Sequence, residues 1–289
     1  MDGIGTYGVW YPTSKLDMPA LAAFAQRVEQ LGYATLWYPE AVGWESLSQA
    51  AFLLCNTDKL LVGSSIANIY ARDAVTTRQG QITLNAISND RFILGLGVSH
   101  IPLVEAVRGH VYGKPVASMR AYLEGVRGEG AALSDPARTT VIAALGPNML
   151  KLARDATRGA IPYNVTPDHT AQAREILGSG KWLCVEQKVC LESDATTART
   201  LAAKELARYM VLPNYRNNWL RQGFTEADLE GQGSDRFLDA MVVWGDEAAI
   251  HARLQAHLDA GADHVCLQPV HADGDAAALD RTVAALAPG

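Results

Sequence analysis

The chain has 289 residues, of which 48% are hydrophobic and 19% charged, so it can bury a large core and is not intrinsically disordered. Its formal net charge of −6, without a dense run of Lys or Arg, argues against nucleic acid as a partner. No apolar run reaches the ~20 residues that span a membrane, and no leader segment opens the chain, so we expect a cytoplasmic protein that contacts no membrane. The four cysteines lack metal-ligand spacing, and we expect no metal site.

Short apolar segments alternate with helical segments along the chain. Helix–glycine–strand junctions recur, for example at Gly159 and Gly261, and indicate parallel strands joined by helical crossovers. Strands are predicted at residues 5–11, 34–38, 60–67, 92–97, 139–145, 159–163, 182–191 and 263–268. Eight such units predict an α/β fold, a (β/α)8 TIM barrel in one domain over residues 1–289. An open doubly wound sheet is the rival, but the first strand-to-helix turn lacks its glycine fingerprint.

Two segments depart from this alternation. Residues 128–136 are rich in Gly, Ala and Ser and predict a flexible connection. Residues 213–239 predict an inserted helical lid before the last βα unit, because they carry several Asn and aromatic residues together with two glycines.

In a TIM barrel the active site forms at the carboxyl ends of the strands. The candidate residues at these ends are mainly polar or aromatic: Tyr11, Glu40, Trp44, Ser65, Asn68, His100, Gly146, Asn148, Tyr163, Asn164 and Gln268. This set has no paired carboxylates, which argues against a glycosidase or a two-metal hydrolase. We also find no lysine that closes a strand, as a Schiff-base aldolase requires.

Several segments carry a family resemblance that covers nearly the whole chain. Residues 63–73 read GSSIANIYARD and residues 90–100 read DRFILGLGVSH, and further support lies in residues 143–153, 159–170 and 260–265. This sequence resembles the bacterial luciferase-like superfamily and, within it, the coenzyme F420-dependent oxidoreductases of actinobacteria. The motifs are more specific for the superfamily than for the deazaflavin F420 over FMN.

The resemblance implies where a flavin-like ring would lie. The bond between Ser65 and Ile66 matches a position that often holds a non-prolyl cis peptide, a bulge on which the ring rests. Asn68 matches a position where a polar side chain reaches the edge of the ring. Gly97 is expected to let the backbone approach the cofactor, since glycine has no side chain.

The resemblance also implies a phosphate contact. Gly146 and Pro147 open the helix after the fifth predicted strand, and Asn148 and Met149 would contribute the next N–H groups. A helix N-terminus with free N–H groups is a natural anion site.

The chain departs from the family at the proposed base. Many deazaflavin relatives carry an acid followed by a histidine after the second strand, whereas here Glu40 is followed by Ala41. His100 stands where Glu is common, so we predict that its imidazole is the catalytic acid or base. We expect Glu40 to orient the ring or substrate and Trp44 to wall the pocket. The structural alternatives are a histidine that only ends a strand, a helix-capping Glu40 and an ordinary core Trp44.

These observations predict an oxidoreductase that transfers a hydride between F420 and a small organic substrate. The first alternative is an FMN-dependent monooxygenase on the same scaffold. The second is a non-catalytic protein that binds a flavin or deazaflavin. From the family we also expect a homodimer.

Overall fold

The computed structural model describes residues 3–128 and 139–289. Within this part of the chain the strands have two to six residues, except for β8 with nine, and most are fully buried. They are β1 (Tyr7–Trp10), β2 (Thr35–Tyr38), β3 (Leu61–Ser64), β4 (Ala67–Asn68), β5 (Phe92–Gly97), β6 (Thr140–Ile142), β7 (Gly159–Ala160), β8 (Trp182–Cys190), β9 (Val242–Trp244) and β10 (His264–Pro269).

Eight of these strands close into a parallel barrel. The order is β1, β2, β3, β5, β6, β7, β8 and β10, and β10 pairs with β1 to complete the circle. These are the eight strands predicted from the sequence, and the TIM barrel is confirmed. Several of them are shorter than predicted, and the largest differences are in β3 and β6.

Two short strands extend the barrel at its carboxyl end. β4 continues the β3 segment and pairs with the end of β5, with Asn68 opposite Gly97. β9 pairs with the end of β8, with Val243 opposite Val189. The sequence analysis did not predict β9, because its three residues directly follow a helix without a turn signal between them.

Helices surround the barrel. They are α1 (Met18–Gln30), α2 (Ser46–Cys55), α3 (Ala74–Ser88), α4 (Pro115–Arg127), α5 (Pro147–Ala156), α6 (Pro167–Leu177), α7 (Ala195–Met210), α8 (Pro213–Arg221), α9 (Asp235–Met241), α10 (Glu247–Asp259) and α11 (Ala276–Ala285). Aspartates begin many of them: Asp17, Asp73, Asp194, Asp246 and Asp275 each accept a hydrogen bond from a backbone N–H three residues later. The predicted cap at Asp73 is confirmed.

The structure describes the two segments that depart from the alternation to different extents. Of the connection expected at residues 128–136, only Gly128 lies within the described residues. The segment 213–239 contains α8 and most of α9, which pack on α7. Among the described residues, no helix combines the length and apolarity needed to cross a membrane.

Part of the barrel interior is filled by large side chains that surround a buried histidine, His264. Trp37 is fully buried, and it lies against Gly63, where a Cβ atom would come within 2.3 Å of the indole. The indole N–H of Trp37 donates to Nε2 of His264 at 3.0 Å. Since that nitrogen accepts, the proton of the neutral ring is on Nδ1, which donates to the Gly5 carbonyl at 2.7 Å. This arrangement favours a neutral His264.

Buried histidines make stability depend on pH. Burial lowers the pKa of His264 from 6.5 to about 4 and that of His257 from 6.5 to about 3. A lowered pKa in the folded state means that the unfolded chain binds more protons, so stability present above pH 6.5 is lost as the pH falls. We expect the free energy of unfolding to fall by about 3 kcal/mol or more between pH 7 and pH 4.

Denaturant unfolding followed by circular dichroism at several pH values measures this loss. The variant His264→Gln should show a shallower dependence on pH between 6.5 and 4. An unchanged slope in that variant would contradict the assignment to His264.

Candidate active site

A chamber with two adjoining lobes lies at the carboxyl ends of the barrel strands. Both lobes are lined by the same central residues: Ile66, Ser99, His100, Ala143, Ile161, Tyr163 and Tyr215. The α5 lobe, of about 410 Å³, adds the start of α5 and the α8 residues Asn214, Asn217 and Arg221. The Trp10 lobe, of about 400 Å³, adds chiefly Trp10, Pro12, Pro39, Leu103, Arg208, Tyr209 and Leu212. This is the position expected for the active site of a TIM barrel.

The peptide bond between Ser65 and Ile66 is cis, as the resemblance predicts. Ser65 is held on both sides, since its N–H donates to the Tyr38 carbonyl at 2.6 Å and its own carbonyl accepts from the Trp10 indole at 3.3 Å. Ile66 lies over Gly97, where an added Cβ would come within 2.4 Å of the isoleucine side chain. Gly97 is therefore needed for the bulge itself, and both Ile66 and Gly97 line the α5 lobe.

His100 lies where the two lobes meet. It follows Ser99, which adopts a left-handed backbone conformation with φ of 58°, and its ring packs on Tyr215 at 5.7 Å between centroids. Burial lowers the pKa of His100 below 6.5, although a hydrogen bond with Asn214 acts in the opposite direction. The imidazole is therefore mainly neutral at pH 7 and can accept a proton.

Glu40 has its carboxylate committed to the protein. One oxygen accepts from the Asn68 N–H at 2.8 Å, and both oxygens are bonded by the guanidinium of Arg72. The Glu40 and Arg72 side chains are only 4% and 9% exposed. Glu40 also lines the Trp10 lobe, but these bonds leave its carboxylate holding β4 in place beside the bulge.

Trp44 and Asn68 do not line the two-lobed chamber. Trp44 is 38% exposed and lies in a neighbouring outer groove, where its indole donates to the Leu16 carbonyl at 3.3 Å. Asn68 is buried, and its side-chain oxygen accepts from the Tyr70 N–H at 2.9 Å. The structure thus brings His100, Ser65 and Ile66 together and places Trp44 apart from them.

The start of α5 forms the far end of the α5 lobe. Gly146 is the N-cap without a side-chain cap, Pro147 has no N–H, and the Met149 N–H is bonded back to the Gly146 carbonyl. The Asn148 N–H has no backbone partner within the described residues. Together with the helix dipole, this free N–H makes the end of the lobe favourable for an anion.

Arg221 adds positive charge to the same place. Its guanidinium lies 3.7 Å from where a Cβ on Gly146 would be, and it donates to the Asn218 side chain at 3.1 Å. It forms no ion pair with a carboxylate of residues 3–128 or 139–289. Arg221 could not be identified as a site residue from the sequence, because only the fold brings α8 beside α5.

A buried ion pair that the sequence motifs did not predict lies under the chamber. Lys188 and Glu186 are 0% and 1% exposed and lie 3.2 Å apart, and the Lys188 ammonium is 3.9 Å from the centre of the Tyr163 ring. Lys188 does not close a strand, since it lies two residues before the end of β8. The signal was present as two charged residues, i and i+2, inside an apolar strand, a spacing that puts both on one face.

Histidine, cysteine and carboxylate side chains do not gather into a cation site in the parts of the chain that the structure describes.

Comparison with known proteins places this geometry in context. The profile described as luciferase-like monooxygenase matches residues 7–264. A protein of Mycobacterium tuberculosis named as a coenzyme F420-dependent oxidoreductase is 31% identical over 124 residues, which are 43% of this chain and 34% of that protein. The matched region thus spans about a third of that relative.

Solved structures share the fold at low sequence identity. An F420-dependent secondary alcohol dehydrogenase in complex with an F420–acetone adduct superposes with a TM-score of 0.76 at 13% identity, covering 97% of this chain and 98% of that one. The oxygenating constituent of 3,6-diketocamphane monooxygenase from Pseudomonas putida, in complex with FMN, superposes with a TM-score of 0.70 at 12% identity, covering 98% and 97%.

Proposed function

Because the chain belongs to the luciferase-like monooxygenase family and is therefore an enzyme, we propose that it is an oxidoreductase that uses coenzyme F420. Its reaction would move a hydride between the deazaflavin and a small organic substrate. The observation that carries this proposal is the neutral, half-buried His100 at the junction of two lobes, each large enough for a small molecule or part of a cofactor. The F420 enzymes named above support the choice of cofactor.

The residues of the α5 lobe fit such a cofactor. Ile66 on its cis peptide offers an apolar surface for a flat ring, and the Asn148 N–H and Arg221 offer donors to the phosphate of the tail. When bound, F420 supplies the ring carbon that gives or accepts the hydride. FMN also carries a phosphate, so the anion end by itself does not distinguish the two cofactors.

His100 would move the proton that accompanies the hydride. A neutral imidazole accepts a proton from a substrate that is oxidised, and the protonated ring returns it in the reverse direction. Apolar and aromatic groups of the Trp10 lobe, such as Leu103, Leu212 and Tyr215, would exclude water from the reacting atoms. Glu40 would act at a distance, by holding Arg72 and the β4 segment next to the bulge.

A parallel titration with oxidised F420 and with FMN tests the cofactor. The purified protein is titrated with each compound and followed by calorimetry or fluorescence. We expect selective binding of F420 with a micromolar or lower Kd. Selective binding of FMN would instead favour the monooxygenase, and oxygen consumption coupled to substrate oxidation would then be the decisive assay.

Removal of Arg221 should weaken cofactor binding. A charge-assisted hydrogen bond to an anion contributes about 1.5–3 kcal/mol, so Arg221→Leu should raise the Kd for F420 by about tenfold or more. The effect should shrink at high salt, because screening weakens the wild-type interaction. The control is Lys151→Leu, which removes one positive charge from an exposed position on α5. Equal losses in both variants would show a general effect of charge and contradict the role of Arg221.

A further inference from the structure

A chain of hydrogen bonds runs from the protein surface into the Trp10 lobe. Glu205 accepts from the side-chain nitrogen of Gln268 at 2.9 Å. The side-chain oxygen of Gln268 lies 2.7 Å from the Tyr163 hydroxyl, which lies 2.7 Å from the Tyr209 hydroxyl. Glu205 determines which group donates and which accepts in each of these hydrogen bonds.

The direction begins at the carboxylate. Glu205 is also paired with Arg208, and an ionised carboxylate can only accept hydrogen bonds. Gln268 must therefore turn its NH2 group towards Glu205, which leaves its oxygen facing Tyr163. An amide oxygen also only accepts, so the one hydroxyl proton of Tyr163 is donated to Gln268.

The proton of Tyr209 is assigned in the same way. Because Tyr163 has already donated its proton, the bond between the two hydroxyls requires Tyr209 to donate. Burial raises the pKa of both phenols above 10, so neither is ionised at pH 7. Both hydroxyl oxygens can still accept, but neither has a proton left for a ligand.

Several other polar groups of this lobe are used within the protein, whereas the Tyr215 hydroxyl has no partner among the described residues and stays available to any ligand. The Trp10 indole donates to the Ser65 carbonyl, and the carboxylate of Glu40 is bonded by Arg72 and the Asn68 N–H. Arg208 is neutralised by Glu205, which leaves no net charge from this pair to attract an anion. The rest of the lining is mainly apolar or aromatic, including Leu103 and Leu212.

We propose that the Trp10 lobe selects an uncharged, apolar molecule that donates a hydrogen bond from a hydroxyl or N–H group, with the Tyr209 oxygen as its acceptor. A ligand that offers only an acceptor, such as an ether or a ketone, gains no hydrogen bond from Tyr209, because the Tyr209 proton is already donated to Tyr163. Tyr163, Gln268 and Glu205 are positioning residues, since they set the direction of the Tyr209 proton. The preference of the lobe for such a ligand does not depend on the proposed function. The identification of that ligand as the substrate does rest on it.

A pair of fluorinated probes tests the selection without any cofactor. The probes are 4-fluorobenzyl alcohol, which can donate, and its methyl ether, which cannot. Fluorine NMR titration of each into the protein gives the two dissociation constants. We expect the alcohol to bind about tenfold more tightly than the ether, the size of one well-made hydrogen bond. Similar affinities, or no binding of the alcohol at millimolar concentration, would overturn the proposal.

Two variants separate hydrogen bonding from packing. Tyr209→Phe removes the acceptor oxygen. The ratio of the two dissociation constants should then approach the value set only by the extra methyl group of the ether. Gln268→Met keeps Tyr209 but removes the acceptor that orients Tyr163, so Tyr209 becomes free to donate and the ratio should also fall. A role for Tyr209 in packing alone predicts no change of the ratio in Gln268→Met, and that result would contradict the positioning role.

Tyr215→Phe is the matched control. Tyr215 packs edge-on against Tyr209 at 5.2 Å between centroids and lines the same lobe. Its hydroxyl has no hydrogen-bond partner in the part of the chain that the structure describes. We expect the dissociation constants of both probes to change by the same factor, which leaves their ratio as in the wild type. A ratio that falls as far as in Tyr209→Phe would contradict the assignment to Tyr209.

Discussion

Replacing His100 with Ala is expected to lower kcat/KM by about 10²–10⁴-fold, the range for loss of a general acid or base. Binding of F420 should be largely unaffected, because the anion end of the α5 lobe is formed by other residues. In the direction of substrate oxidation, where neutral His100 is the base, the wild-type activity should decline only below pH 6.5, since burial lowers the pKa of His100, and the variant should lose this decline. Steady-state kinetics over a range of pH and a cofactor titration measure both effects.

His110→Ala is the control for the His100 experiment. His110 is an exposed histidine of the neighbouring outer groove and lies outside the two-lobed chamber. Its replacement should leave the pH profile unchanged. A loss of cofactor affinity in His100→Ala as large as the loss of turnover would remove the catalytic assignment of His100.

Breaking the Lys188–Glu186 pair is expected to cost about 3–5 kcal/mol in the free energy of unfolding. In Glu186→Gln the buried ammonium loses its counter-ion but keeps its bond to the Asn164 side chain. In Lys188→Met the carboxyl can become protonated, because burial raises the pKa of Glu186. The Lys188→Met variant should therefore approach the wild-type stability as the pH is lowered.

The double variant provides the control for this pair. Lys188→Met combined with Glu186→Gln removes both charges, so it should be less destabilised than the sum of the two single variants. Denaturant unfolding of the four proteins gives the coupling energy. Additive losses in the free energy of unfolding would show that the two side chains stabilise the fold independently. That result would contradict a direct interaction between Lys188 and Glu186.

Much of the fold could be predicted because its signals are local. Apolar runs of strand length, helix-capping aspartates such as Asp73, and glycines after helices each report on neighbouring residues in the chain. The cis peptide at Ser65 could be predicted because a family resemblance links it to a short motif. β9 escaped prediction because three residues carry too little periodicity to distinguish a strand from the end of the preceding helix.

The site was harder to predict, since its members come from distant segments. His100 and Ile66 lie in the chamber as expected, because both follow strands whose carboxyl ends meet at one face of the barrel. Trp44 also follows a strand, but the loop after β2 carries it to the outer groove. Glu40 has the position of a catalytic acid, yet Arg72, 32 residues away, engages its carboxylate.

The sequence by itself determined the eight-stranded barrel, the family and the histidine at the strand end, because strand patterning, capping and motif residues act over short distances along the chain. Only the tertiary structure decided which polar groups remain free for a ligand. It aligned Arg221 with the start of α5 and oriented the proton of Tyr209 through Glu205, 63 residues from its neighbour Gln268. Hydrogen bonds and ion pairs between distant segments depend on three-dimensional distance and direction, and no local pattern records them.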